Sequence, residues 1–218
     1  MMSRELPIFP LPLVLFPGAT QPLHIFEPRY RRLLADCLES DKRFGIAYVP
    51  PPATDASESS GPPPPPPVLA LAIAPAPGAV GCVARIHSAQ SLPDGRSNIL
   101  TVGERRFVLL EWLPADRPYG MGRIEEFDDE PVDLVEAGAL AGDVRAGFAR
   151  LAAALAVLTD RGAEETELPT DPQRLSFQVA AALELEPALK RDLLALRDTR
   201  TRLRRLGALL GPLAADAE

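Results

Sequence analysis

Two hydrophobic rhythms divide the chain. Up to residue 131, short apolar runs are broken by Pro and Gly: "LPIFPL", "LVLFPG", "QPLHIF", "RFGIAYV", "AVGCVARIHSAQSL", "NILTVGERRFVLLEWL" and "YGMGRIEEF". Runs of this length, rich in β-branched and aromatic residues and spaced by turn formers, predict strands of a barrel or sandwich. "PDGRS", ahead of Asn98, carries the Asp94-Gly95 pair that supplies positive φ and predicts a tight hairpin. Gly103 then interrupts the next strand pattern and predicts a bulge or a change of direction.

One helix stands inside this strand-rich half. Glu27 precedes Pro28, whose missing N–H suits a first helical position. Tyr30, Leu33, Leu34, Cys37 and Leu38 then repeat at helical spacing as one apolar face, with Arg29, Arg31, Arg32, Asp36 and Glu39 opposite. After the acidic "EEFDDEP" the pattern becomes helical and stays so. Residues 133–159 form one long periodic stretch, Asp171 caps a helix opening on Pro172, and Pro187 opens another. Positions 196, 199, 203, 206, 210 and 213 make a stripe spaced 3-4-3-4-3 in the last segment. The expectation is an α+β chain, with a β domain over residues 1–131 and a bundle of about four helices over residues 132–218.

Residues 50–67, "PPPATDASESSGPPPPPP", hold almost nothing able to join a core and predict an extended, solvated insertion between strands. A proline run of this kind also fits the aromatic grooves of proline-reading domains. With 30 acidic and 23 basic residues the net charge is −7, which argues against nucleic acid or an anionic membrane as partner of the whole chain. Two well-separated cysteines, no signal-peptide pattern and no apolar run long enough to span a bilayer lead to a cytoplasmic expectation.

Candidate chemistry is sparse. There is no phosphate-binding loop and no nucleophile elbow. A Ser/Lys pair would have to use Lys42 or Lys190, both in charged contexts that read as exposed and of ordinary high pKa. His24, Cys37, Cys82 and His87 lack the short chelating spacings of a zinc site. The carboxylates of "EEFDDE" read as a solvated edge rather than a general acid pair. Neither enzymatic activity nor a metal or other cofactor is expected. The one local basic face is on the last helix, at Arg197, Arg200, Arg204 and Arg205, with Arg202 beside it.

Taken together, "LPIFPLPLVLFPGATQPLHIFEPRYRRLLADCLESDKRFGIAYV", "VGCVARI", "LPDGRSNILTVGERRFVLLEWL" and "PYGMGRIEEF" resemble the N-terminal substrate-binding domain of the Lon protease. The likeness extends to "DPQRLSFQVAAALELE" and "TRLRRLGALL", and is strongest to bacterial proteins that carry this domain without the ATPase and protease domains. It implies a PUA-like β pseudo-barrel with one packed helix, followed by a helical bundle. It also implies a non-enzymatic module that binds other proteins, as unfolded or peptide segments, in service of proteolysis or quality control. On this likeness Glu27, Arg29 and Arg106 form a charged network at the barrel rim. His24, Phe26, Arg29, Tyr30 and Arg106 are the candidate substrate-contacting residues, since aromatic and Arg side chains supply much interface energy. PUA-like barrels also serve RNA, so RNA binding through the Arg-rich last helix is the second reading.

Overall fold

The computed structural model describes residues 3–51, 74–114, 116–159 and 167–215. The expected insertion at residues 50–67 therefore lies, from residue 52 onward, outside the described residues. The chain divides into two compact units: Met1–Leu15 with Thr20–Glu126, and Phe16–Ala19 with Phe127–Glu218. That division lies slightly ahead of residue 131 and assigns the Phe16–Ala19 turn to the helical unit.

The first unit is built on β1 (Ser3–Leu11), β2 (Thr20–Ile25), β3 (Arg43–Tyr48), β4 (Val80–Ser91), β5 (Ser97–Leu113) and β6 (Gly120–Phe127), with α1 (Pro28–Leu38) between β2 and β3. Strand order is β2-β5-β4-β3-β1-β6, and β5 also pairs with β6. The extra pairing closes five strands into a pseudo-barrel, while β2 rides on the first half of β5. β1 and β3 run parallel, whereas β3 with β4, β4 with β5, and β1 with β6 are antiparallel.

The local signals account for this geometry. Gly95 turns the β4–β5 hairpin at φ +78°, and the Leu92 N–H donates to the Arg96 carbonyl at 2.8 Å. Ala84 faces Gly103 but Cys82 faces Arg106, so β5 spends an extra residue there, the bulge that Gly103 predicts. Inside the barrel Leu6, Ile8, Ala47, Val83, Leu109 and Ile124 surround the fully buried ring of Phe107. Gly81 makes room for it: a Cβ there would lie 2.4 Å from Phe107 Cζ and 2.5 Å from the Ile46 carbonyl. Outside the ring, α1 packs by Tyr30, Leu33, Leu34 and Cys37, and Tyr30 stacks on Phe9 with centroids 3.9 Å apart. Leu38, expected on the same stripe, is 40% exposed at the last position of the helix.

Charged side chains tie the strands together. Glu104 of β5 accepts from Arg43 of β3 at 2.6 Å and from Arg85 of β4 at 2.7 Å, and Arg4 of β1 reaches Glu126 of β6 at 2.7 Å. Each such pair contributes only about 0–1 kcal/mol, but shared carboxylates make this a network rather than isolated pairs. Burial alone would raise the Glu104 carboxyl; the hydrogen bonds and charges of Arg43 and then Arg85 hold it below its ordinary value.

The connection between β3 and β4 is pinned where it leaves and returns. Val49 N–H donates to Leu11 O at 3.0 Å, Gly78 N–H to Leu109 O at 2.7 Å, and Trp112 Nε1 to Pro75 O at 2.9 Å. The returning end leads into the start of β4, while the hairpin follows the other end of that 12-residue strand, up to roughly 35 Å of strand away.

The second unit contains α2 (Leu134–Thr159), α3 (Pro172–Ala182), α4 (Pro187–Ala195) and α5 (Thr199–Ala215). Asp133 Oδ1 accepts from the Val135 and Glu136 N–H groups, and Asp171 caps α3 by accepting from Arg174 N–H at 2.8 Å. Pro172 and Pro187 stand at the helix starts. Ala137, Ala141, Val144, Leu175, Phe177, Val179, Leu193, Leu194, Leu203, Leu206 and Leu210 are buried. Among the described residues no helix is long and apolar enough to cross a membrane.

Candidate substrate-contacting corner

The chain turns sharply where β2 ends and α1 begins. Ile25 is buried and anchors the strand, Pro28 starts the helix, and the residue between them that is free to project is Phe26. Phe26 is 59% exposed, an uncommon position for an aromatic ring of this size in a folded domain. His24 lies beside it, ring centroids 6.1 Å apart. Across the strand pair, His24 Nδ1 and Asn98 Oδ1 are 2.7 Å apart, so a proton on Nδ1 donated to the amide oxygen fixes the imidazole. Arg29 is held from two directions: Nε donates to Glu27 at 2.8 Å, and its guanidinium lies 4.5 Å over the Tyr30 ring. The result is a small rigid platform with one exposed aromatic, one imidazole and one oriented guanidinium.

The five candidate residues are not equivalent in this setting. His24, Phe26 and Arg29 sit together at the corner, but Tyr30 is only 7% exposed and supports the platform from beneath. Burial pushes the Tyr30 phenol pKa up, with Arg29 opposing. Arg106 departs further from expectation. It is 2% exposed and faces Cys82 beyond the Gly103 bulge, so the charged group at the corner consists of Glu27 and Arg29 without it. The bulge explains this: Arg106 and Phe107 are consecutive buried positions, which simple alternation does not anticipate. Sequence reasoning passed over Asn98 and Arg31. Asn98 is reachable by counting back along the hairpin from Gly95. Arg31 leaves no such trace, and its guanidinium lies so close to the turn that a Cβ on Gly95 would be 2.1 Å from Arg31 Nη2.

The Arg-rich segment of the helical unit is largely neutralised. Arg200 donates to Glu136 at 2.9 Å and to Asp198 at 3.3 Å, and Arg204 pairs with the same Glu136. Arg197 lies 5.0 Å over the Phe127 ring, leaving Arg205 exposed. Arg202 is fully buried: it donates to Ser176 Oγ at 2.7 Å and Leu196 O at 2.8 Å, pairs with Asp129, and lies 4.0 Å over Phe177. Asp129 was expected on a solvated edge; its side chain is 5% exposed. A carboxylate can be buried there because a guanidinium and the Thr199 hydroxyl complete its hydrogen bonding.

Nucleophilic chemistry finds no support in the surroundings of the candidate groups. Burial pushes the Cys37 thiol up to about 12, and burial raises Cys82 as well, so both are protonated and packed. Lys190, expected to be exposed with an ordinary pKa, is half-buried. Desolvation lowers its pKa, while its Nζ donates to Ala181 O at 3.0 Å near the end of α3. That contact satisfies a helix-terminal carbonyl. Among the described residues no cluster of three or more His, Cys, Asp or Glu side chains is arranged to hold a metal ion.

The sequence model of the ATP-dependent protease La (LON) substrate-binding domain matches residues 5–211. Lon protease of Roseiflexus castenholzii is 30% identical over 96% of the chain, and Lon protease 2 of Herpetosiphon aurantiacus is 24% identical over 95%. The chain spans 24% of the length of each of these relatives. A crystal structure of a Lon N-terminal domain protein from Xanthomonas campestris superposes with TM-score 0.62 at 25% identity, covering 94% of this chain and 98% of that one. The N-terminal domain of a Mycobacterium avium complex Lon protease superposes with TM-score 0.63 at 19% identity, covering 98% and 99%, a likeness of fold alone. The α+β architecture, a six-stranded mixed sheet with five described helices, is that of these domains. This chain belongs to the family of Lon substrate-binding domains.

Proposed function

We propose that this chain is a non-enzymatic protein-binding module that holds exposed apolar segments of other proteins at the β2–α1 corner and delivers them to proteolysis or quality control in the cytoplasm. The observation that carries the reading is Phe26, 59% exposed beside His24 at the strand-to-helix turn, within a domain whose family is described by substrate binding. An aromatic ring fixed at a rigid corner contributes contact area with little loss of side-chain freedom. Arg200 and Arg204 of α5 are both paired with Glu136, which weighs against the RNA reading. Reduced and carboxymethylated lactalbumin, which stays unfolded, is the test probe, with native lactalbumin as control. The module captures the unfolded form selectively, and Phe26→Ala weakens capture by about tenfold or more, as loss of a central aromatic anchor does. Equal capture by Phe26→Ala and the parent protein sinks the placement at this corner.

A further inference from the structure

The strand leading into this corner has an unused side. β2 pairs with β5 and with no other strand among the described residues. Which main-chain groups face outward follows from one contact: the Gln21 carbonyl accepts from Thr101 Oγ1 of β5 at 2.9 Å, so Gln21, Leu23 and Ile25 turn their main-chain groups toward β5. Thr20, Pro22 and His24, the alternate set, then face away, and their side chains are exposed. Pro22 has no N–H to offer, and its carbonyl accepts from Gln21 Nε2 at 3.0 Å. The free edge is therefore concentrated at Thr20 and, next to Phe26, at His24.

Exposed edges are ordinarily guarded by charge. β2, "TQPLHI", has none, and Pro22 is its sole guard. Charges nearby are closed into pairs, Arg29 with Glu27 and Arg96 with Asp94. Arg31 is exposed and lies against the Gly95 turn between β4 and β5, on the paired side of β2 rather than at its outer edge. An uncharged edge with an exposed aromatic ring beside it complements an extended, uncharged segment carrying an apolar side chain.

Resting on the corner reading above, we propose that substrates are held by strand addition: an extended protein segment pairs main chain to main chain with the outer edge of β2 at His24 and sets an apolar side chain on Phe26. Side-chain capture alone would ignore the peptide backbone; strand addition depends on it.

A fluorescein-labelled peptide of alternating threonine and valine, with one phenylalanine, tests this by fluorescence anisotropy. N-methylation of alternate amides on the pairing side removes donors while adding apolar surface, and weakens binding about tenfold. Pro22→Thr restores an outward N–H and tightens binding several-fold. This gain cannot arise from misfolding. Unchanged binding of the N-methylated peptide, or no gain with Pro22→Thr, overturns strand addition. If Phe26→Ala still weakens lactalbumin capture in that event, the corner reading stands without it. If the parent protein binds no form of the peptide, strand addition is likewise overturned, and lactalbumin capture again decides the corner separately.

Discussion

A guanidinium laid over an aromatic ring occurs in both units, with opposite consequences. In the helical unit Arg202 lies 4.0 Å over Phe177, with Asp129, Ser176, Leu196 and Thr199 meeting its polar side, and the group is sealed from solvent. In the barrel unit Arg29 lies 4.5 Å over Tyr30, one carboxylate meets it, and the next ring along, Phe26, stands in solvent. The same chemistry is a clamp where every group finds its partner within the chain. It is a candidate contact surface where one face is left over.

The comparison breaks most visibly at the clamp. Asp129→Ala strands the Arg202 charge in the interior and costs about 3–5 kcal/mol in urea unfolding followed by far-ultraviolet circular dichroism. Asp129→Leu with Arg202→Met costs clearly less than the single change, because no lone charge remains. Next in size is the barrel core, where Gly81→Ala forces Phe107 or the β3 main chain to move and costs about 1–3 kcal/mol, read through Trp112 fluorescence. The Asp171→Ala change removes the α3 cap and lowers stability by about 1 kcal/mol. At the corner, Phe26→Ala changes stability by about 0.5 kcal/mol or less while weakening substrate capture, the inverse of the clamp.

Acid sharpens the contrast between ionic tethers and the apolar corner. Glu104 has a folded pKa below its ordinary 4.5, so its contribution to stability is fully present above that pH and is lost as the pH falls through the folded value. Urea midpoints measured downward from pH 6 decline in this window for the parent protein. Glu104→Gln is less stable at pH 6 and declines less steeply.

Much of the fold was legible because the signals were local. Pro28, Asp171-Pro172 and Pro187 mark helix starts without reference to the rest of the chain, and Asp94-Gly95 marks the hairpin. What escaped depended on partners distant in sequence. Asp129 reads as solvated until Arg202, 73 residues away, is seen to occupy the buried side of α5, one position from the Leu203 stripe. Arg106 reads as a rim charge until the bulge makes it a buried neighbour of Phe107. The corner was found in part: His24, Phe26 and Arg29 were legible as an aromatic and Arg group at a strand-to-helix turn. Tyr30's burial and the open edge of β2 emerge only from the pairing of the strands.

On the function proposed above, substrate contact belongs to the open corner and not to the arginine-rich helix. Photocrosslinking tests it directly: a benzophenone amino acid placed at position 26 in one variant and at position 205 in another, each irradiated with carboxymethylated lactalbumin. The expected result is a crosslinked product from position 26 and none above the native-lactalbumin control from position 205. Products from position 205 with none from position 26 would contradict it.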